Sequence, residues 1–332
     1  MTDRRPGLDP AVAEVRLAVR RALGGLAEGS IVVVGLSGGA DSLALAAAVA
    51  FEAPKRGMSA ITVTVDHGLQ GASADAARAA AAKAEELGYD ARVVRVEVGA
   101  EGGPEGAART ARYAAMRETA RDAGATAVLV GHTLDDQAET VLLGLARGAG
   151  ASSLQGMPAA SDLDGIALVR PLLGVRRVTT RAACAAEGLE PWADPHNADP
   201  RFARVRVRET VLPVLEAELG PGIAEALART AAQLREDADA FEEMIDETIE
   251  DIVEHAEAGI SVSVGALAAN PAALRNRIIR HVVSSEFHES LTRAQTLEVA
   301  RLATDWTGQG PIDLPGCRAR RVGARIEFAA RA

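Results

Sequence analysis

Cysteine and aromatic side chains are scarce in this chain of 332 residues, which has two cysteines and only 3% phenylalanine, tyrosine and tryptophan. Cys184 and Cys317 stand far apart with no CxxC pairing, so neither a disulfide framework nor a closed zinc or iron–sulfur site can be read from the sequence. Long apolar runs are missing too. No stretch reaches the ~18 consecutive apolar residues of a membrane span, and Met1 to Arg21 is studded with charge, unlike the apolar middle of a signal peptide. The expected compartment is the cytosol, with no membrane partner. Lysine is nearly absent, at Lys55 and Lys83 only, so arginine carries the positive charge.

What remains is a chain with 48% hydrophobic and 25% charged residues, long enough to bury one large core or two smaller ones. Its net charge of -10 is unevenly spread. Arg235 to Glu257 holds eleven acids against one arginine, and removing it leaves 35 residues of each sign. Gly165 to Thr210 carries eight arginines against five acids, and Arg275 to Ala332 ten against six. Two locally basic surfaces are therefore expected, as solvated faces or as contacts for a polyanion.

The first half alternates β-rich runs with alanine-rich helical stretches, the pattern of a doubly wound, mostly parallel α/β sheet. Strands are predicted at Ile31 to Leu36, Ala60 to Val65, Arg92 to Val98 and Ala127 to Gly131. Helices are predicted at Asp41 to Ala53, Ser73 to Leu87, Glu105 to Gly124 and Leu134 to Arg147. Beyond Gly148 come loops, a short strand near Ile166 to Val169 and a helix near Val178 to Glu187. From Leu212 the chain reads as helical to Glu257, as one helix or as two joined at Gly220-Pro221-Gly222. Helices at Pro271 to Glu286 and Thr292 to Thr304 and a β-like end at Gly316 to Phe328 suggest a smaller helical or mixed C-terminal domain. The expected division is a catalytic domain over residues 1–215, an acidic helical linker over 216–258 and a small C-terminal domain over 259–332.

Strand Ile31 to Leu36 runs into Ser37-Gly38-Gly39-Ala40-Asp41-Ser42 and then into a helix. Paired glycines at a strand's carboxyl end beneath a helix N-terminus let backbone amides approach phosphate oxygens, with Ser37 and Ser42 as hydroxyl donors. Asp41 would repel phosphates unless a divalent cation bridges the two, which suggests Mg²⁺ bound with a nucleotide. A Walker A lysine and a GxGxxG fingerprint are both lacking. The fourth strand ends in Gly131-His132-Thr133 and opens a helix carrying Asp135, Asp136 and Glu139, at the sheet edge where doubly wound folds place ligands. Spacings of three and four make these carboxylates neighbours, either complementing the helix dipole or holding a cationic substrate or a metal.

SGGxDS after a buried strand resembles the PP-loop motif of ATP pyrophosphatases. Gly131-His132-Thr133-Leu134-Asp135-Asp136-Gln137-Ala138-Glu139-Thr140, with Arg147-Gly148-Ala149-Gly150, resembles the second signature of the tRNA(Ile)-lysidine synthetase family. Further elements agree in order: Val65-Asp66-His67-Gly68-Leu69, Ala108-Arg109-Thr110-Ala111-Arg112-Tyr113, Arg170-Pro171-Leu172-Leu173, and Asp194-Pro195-His196-Asn197 through Arg204, Arg208 and Pro213. Val205 stands where the family often has asparagine. The resemblance covers roughly Ile31 to Leu215.

This resemblance implies three substrates: an isoleucine tRNA with a CAU anticodon, L-lysine, and ATP with Mg²⁺. A homodimer is compatible with it. Ser37, Gly38, Gly39, Ala40, Asp41 and Ser42 would hold the ATP phosphates, with Asp41 on Mg²⁺. Asp136 and Glu139 would cradle the lysine ammonium, Asp136 with a raised pKa as the preferred base. His132 is read as an alternative base, a nucleotide contact or a strand-end cap. Arg112 and Arg204 would neutralise charge developing on pyrophosphate or AMP, and Arg208 is a weaker candidate for the same role. Trp192, Phe202 and Trp306 are the aromatics able to stack on bases, although core packing is expected for each. The rival readings are a PP-loop tRNA thiolase, a small-molecule amide ligase and a non-catalytic adenine-nucleotide-binding module.

Overall fold

The structure, a computed structural model, describes residues 7–68, 73–99, 103–148, 150–192, 198–256 and 259–331. It divides into two compact units, Met1–Leu234 and Arg235–Ala332. Among the described residues no helix is long and apolar enough to cross a membrane.

The first unit opens with a helix that the charge-rich start did not suggest, α1 (Pro10–Gly24). Asp9 caps it by accepting from the Ala11 amide at 2.8 Å, and Pro10 presets its first turn. Val12, Val15, Val19 and Leu23 recur at helical spacing and are buried. The strand and helix steps then follow in the expected order: β1 (Ile31–Gly35), α2 (Ala40–Glu52), β2 (Ser59–Asp66), α3 (Ser73–Glu86), β3 (Asp90–Arg95), α4 (Gly103–Asp122), β4 (Ala127–Leu129) and α5 (Leu134–Ala146). A single-turn α6 (Ala151–Leu154), a short edge pair β5 (Ala160–Asp162) and β6 (Ala167–Val169), and α7 (Arg177–Ala186) come next.

The six strands form one sheet in the order β3-β2-β1-β4-β6-β5, parallel except for β5 at the edge. β1 pairs with β2 through Ile31 and Ser59 and with β4 through Val32 and Ala127. The chain proceeds outward from β1 to β3 and then crosses to β4 on the other side. The reversal leaves a crevice beyond the carboxyl ends of β1 and β4. β1 is buried on both faces. Val32 and Val34 pack in a cluster with Leu43, Leu45 and Val49 of α2 and the apolar stripe of α1, whereas Val33 joins Met116 and Ala120 of α4. The continuous valine run in the sequence reflects this double burial.

After α8 (Ala203–Arg206), a π-helical turn and α9 (Leu212–Leu219), the predicted break at Gly220-Pro221-Gly222 separates α9 from α10 (Ile223–Ile252). The division between the units falls inside α10. The helix ends earlier than the sequence suggests, because Val253–Ala256 forms strand β7 against β8 (Gly259–Ser263). Helices α11 (Val264–Ala269), α12 (Ala272–Phe287) and α13 (Arg293–Thr304) follow, then β9 (Ile312–Asp313), β10 (Cys317–Val322) and β11 (Arg325–Ala330). The second unit's antiparallel sheet has the order β7-β8-β11-β10-β9, with Leu267, Ile278, Leu302, Ile326 and Phe328 fully buried in its core.

Glu52 at the end of α2 is buried, with 2% exposure. It accepts two hydrogen bonds from Arg20 at 2.8 and 3.0 Å and one from Lys55 at 3.0 Å. The Arg20 bonds, reinforced by Lys55, outweigh burial and hold its carboxyl down at about 2, against an ordinary 4.5. A depressed carboxylate stabilises the fold fully above its unfolded pKa and loses that contribution as pH falls through the folded value. Glu52→Gln is therefore expected to cost on the order of 2 kcal/mol at neutral pH. It should also flatten the decline in stability between about pH 4.5 and 2, measured by urea unfolding across that range.

Candidate active site

The glycine turn after β1 is held from several directions. Gly38 lies at φ +79°, a left-handed conformation that favours glycine, and its carbonyl accepts from the Trp192 amide at 2.9 Å. Ser42 Oγ donates to the Gly39 carbonyl at 3.0 Å and lies 3.1 Å from Ser37 Oγ. Gly39, the N-cap of α2, has no side chain to cap the first-turn amides. The helix therefore presents amides at its positive end, the usual seat of a phosphate. The turn also meets the end of β4 at close quarters. A Cβ on Gly131 would lie 2.9 Å from the carbonyl carbon and oxygen of Asp41 and 3.0 Å from the Ser42 nitrogen.

The start of α5 is a capping box. One carboxylate oxygen of Asp136 accepts from the Thr133 amide and hydroxyl, both at 2.8 Å, and the Asp136 amide donates back to the hydroxyl. The other oxygen accepts from Arg177 Nη2 at 2.8 Å. Glu139, one turn on, has no solvent exposure. It accepts from Arg177 Nη1 at 3.0 Å and from Arg208 in a fork at 2.7 and 3.1 Å, with Arg204 Nε 3.7 Å away. The same Arg177 guanidinium reaches Asp41 at 3.4 Å, and Thr180 Oγ1 also donates to that carboxylate. One side chain thus bridges the glycine turn to both acids of α5. Asp135 lies beside them and takes the Arg176 side chain and the Arg177 amide.

This arrangement sets the charge states. Burial would raise Asp136, but Arg177 and the Thr133 amide outweigh it, and the carboxyl stays below its usual range. The raised pKa expected of a base at Asp136 is not found. Asp41 is raised instead, chiefly by burial, against the opposing pull of Thr180 and Arg177. Arg177 is raised, because Asp136, Glu139 and Asp41 overcome its desolvation.

A cavity of about 190 Å³ opens against this cluster, lined by Glu139, Arg176, Arg177, Arg208 and Glu216 among others. Pockets lined by charges of both signs suit a zwitterion.

His132 belongs to a second cluster on the same rim. Its ring is driven down to about 3, mainly by burial and further by Arg109, Arg112 and Arg170, despite the nearby Asp136. At neutral pH it is an uncharged, weakly basic imidazole that can donate or accept a hydrogen bond. His67, at the end of β2, is lowered in the same way by burial and Arg112. The Nδ1 atoms of both histidines and the Tyr113 hydroxyl are buried without a hydrogen-bond partner. Three such atoms close to one rim of the sheet call for polar partners that the chain itself does not supply.

A family model for the PP-loop domain matches residues 14–215, and a model for the TilS substrate binding domain matches 263–326. Proteins called tRNA(Ile)-lysidine synthase align along nearly the whole chain. The one from Leifsonia xyli subsp. xyli is 58% identical over 305 residues, 91% of each chain. That of Thermobifida fusca is 50% identical, covering 95% of this chain and 96% of its own, and that of Salinispora tropica 52%, covering 93% of each. The chain belongs to the tRNA(Ile)-lysidine synthase family. Among solved structures, the U34-tRNA thiolase NcsA from Methanococcus maripaludis, with its 4Fe–4S cluster, superposes with a TM-score of 0.58. It is 21% identical and covers 68% of this chain and 79% of its own, a likeness of fold.

Within this lysidine synthase fold, Asp41, Asp136, Glu139 and Arg204 meet in one ion network, and His132 lies near Arg112. Asp194, His196 and Asn197 fall outside the described residues. Arg204 faces Glu139 and donates to Thr140 at 3.0 Å, on the side of the acidic helix. Trp192 and Trp306 are 37% and 39% exposed, where core packing was expected. Sequence reasoning missed Arg177 and Thr180 altogether and undervalued Arg208. One signal was available: two adjacent arginines open α7, where the helix dipole disfavours cations unless carboxylates offset it.

Gly131→Ala would force the end of β4 away from the glycine turn. Overpacking of this kind costs about 1–3 kcal/mol. The expected outcome is a lower urea midpoint together with weaker binding of a nucleoside triphosphate, whereas Gly310→Ala, at a loop glycine with open space around it, should spare both.

Proposed function

We propose that this chain joins L-lysine to C2 of the wobble cytosine of an isoleucine tRNA with a CAU anticodon, driven by ATP. The reading rests above all on the single guanidinium that joins the phosphate-type turn to the acidic pair, which brings a triphosphate and an amine to one rim of the sheet. In the first step the cytosine C2 oxygen attacks the α-phosphorus of ATP, and the bond to pyrophosphate breaks. In the second the lysine ε-amine attacks C2, the bond from C2 to the AMP oxygen breaks, and the amine loses a proton. Adenylation comes first because a ring carbonyl oxygen leaves poorly until AMP is attached to it.

The turn Ser37 to Ser42 binds the phosphates through the amides at the start of α2 and the hydroxyls of Ser37 and Ser42. Among the described residues no three His, Cys, Asp or Glu side chains form a metal cage. Asp41 would be the protein carboxylate for a Mg²⁺ bound with the nucleotide, whose charge would offset that of the phosphates. Asp136 and Glu139 hold the ammonium. The proton lost by the amine passes to the acidic pair that holds it. The cytosine would lie against the second cluster, its base edge meeting the buried atoms of His67, His132 and Tyr113, while Arg112 would neutralise charge on pyrophosphate or AMP.

The second unit, 235–332, contacts tRNA phosphates in this reading. Arg280 is lowered there by burial and by the neighbouring Arg277 and Arg293, a repulsion that a polyanion relieves. A thiolase would need a reactive sulfur. Burial pushes the Cys184 thiol up to about 11, and Cys317 is also buried and raised.

Incubation with total tRNA, ATP and labelled lysine, followed by nucleoside analysis, is expected to yield lysidine. Asp136→Asn should lower incorporation by roughly 10²-fold or more while retaining nucleotide binding; unchanged incorporation would remove Asp136 from the site.

A further inference from the structure

The carboxylates nearest the glycine turn are matched by arginines. Asp41, Asp136 and Glu139 face Arg177, Arg204 and Arg208, three charges of each sign. The Asp136 oxygen left free by the capping box is taken by Arg177, and both Glu139 oxygens are taken by arginines. An ammonium approaching Asp136 and Glu139 therefore finds their outward oxygens already held by guanidinium groups. Arg177 also lines the cavity beside Glu139, while its guanidinium reaches across to Asp41 and Asp136, which do not line that cavity. An amine entering from the cavity would meet Arg177 before it met the phosphate-type turn.

We propose that Arg177 is an exchangeable counterion, whose guanidinium occupies the seat of the substrate ammonium on Asp136 and Glu139 and yields it when lysine enters. The inference rests on the lysine-ligating reading and adds a residue to it. Arg208 is the less suitable group to yield, because it grips Glu139 through a two-pronged fork without spanning the two loops. Arg177 is different in that its three acceptors belong to two separate loops, so its departure frees the acidic pair and Asp41 together. The amine would then gain its seat beside the phosphate-type turn. Until then the acids stay paired, and small cations are kept from them. Arg177 is a positioning and specificity residue here, acting through the carboxylates.

An intramolecular occupant lowers the apparent affinity for its competitor by the fraction of time it holds the seat. Removing it should tighten lysine binding. The experiment measures L-lysine binding calorimetrically, in the presence of a non-hydrolysable ATP analogue, for the native chain, R177Q and D136N, with and without millimolar, non-denaturing guanidinium ion. The expected result is a dissociation constant for lysine lower in R177Q by on the order of tenfold, with guanidinium competing against lysine in that variant. In steady-state assays the KM for lysine should fall without a matching rise in kcat.

Equal or weaker lysine binding in R177Q, restored by guanidinium, would overturn the proposal and make Arg177 a fixed clamp. Should R177Q not fold, R177K carries the same comparison: it keeps the charge without the fork, so tighter binding is expected, and unchanged or weaker binding overturns the proposal. D136N separates the two levels. If lysine binds D136N as well as it binds the native chain, the lysine site itself has been misplaced, whatever Arg177 does.

Discussion

A carboxylate with no exposure to water must be compensated where it lies, and Glu139 imposes that demand on everything around it. Removing such a charge from solvent costs several kcal/mol, and only close, well-directed partners offset the cost. Arg177 comes from the first turn of α7, Arg208 from the π-helical turn, and Arg204 from α8. Two stretches distant from α5 in sequence, the start of α7 and the turn from Arg204 to Arg208, are thereby gathered around one of its side chains. The glycine turn is drawn into the same network, since Arg177 and Thr180 also hold Asp41. The electrostatics that neutralise Glu139 therefore also place a phosphate-type cradle beside an acidic pair. Arginine suits this work better than lysine would, because one planar guanidinium can serve three carboxylates at once.

Much of the first unit was legible because its signals are local. A valine run bounded by glycines reads as a doubly buried strand, and alanine-rich segments read as the intervening helices. The acids of α5 at spacings of three and four could be placed on neighbouring positions before any coordinates existed. Arg177 could not be placed, because its partners lie 38, 41 and 136 residues away and no periodicity records such a contact. The pKa of Asp136 was misjudged for the same reason: burial can be inferred from an apolar neighbourhood, but a guanidinium arriving from α7 cannot. Strand β7 was lost in the acidic helix, since Val253–Ala256 takes its conformation from pairing with β8, a tertiary effect that overrides local preference. The opening helix was overlooked because its charges drew attention away from the apolar stripe at Val12, Val15, Val19 and Leu23.

Histidine and arginine divide the labour at this rim. The arginines near α5 are locked into ion pairs with its acids. Around His67 and His132, burial first and nearby arginines second hold two imidazoles neutral, and their Nδ1 atoms have no hydrogen-bond partner. One side of the rim is thus electrostatically saturated and the other is deliberately short of hydrogen bonds. A charged amine and an uncharged base edge require opposite preparations of this kind.

The pairing of β1 with β4 has a consequence for how freely such a chain can change. Adjacent strands in a sheet lie about 4.8 Å apart, so the two loops that begin at their ends start from a fixed interval that owes nothing to the chain running between them. Everything from α2 to α4 can lengthen, shorten or drift in composition without shifting that interval, provided the two strands stay neighbours. Innovation can therefore accumulate in the crossover segments while the gap between reacting groups is inherited unchanged.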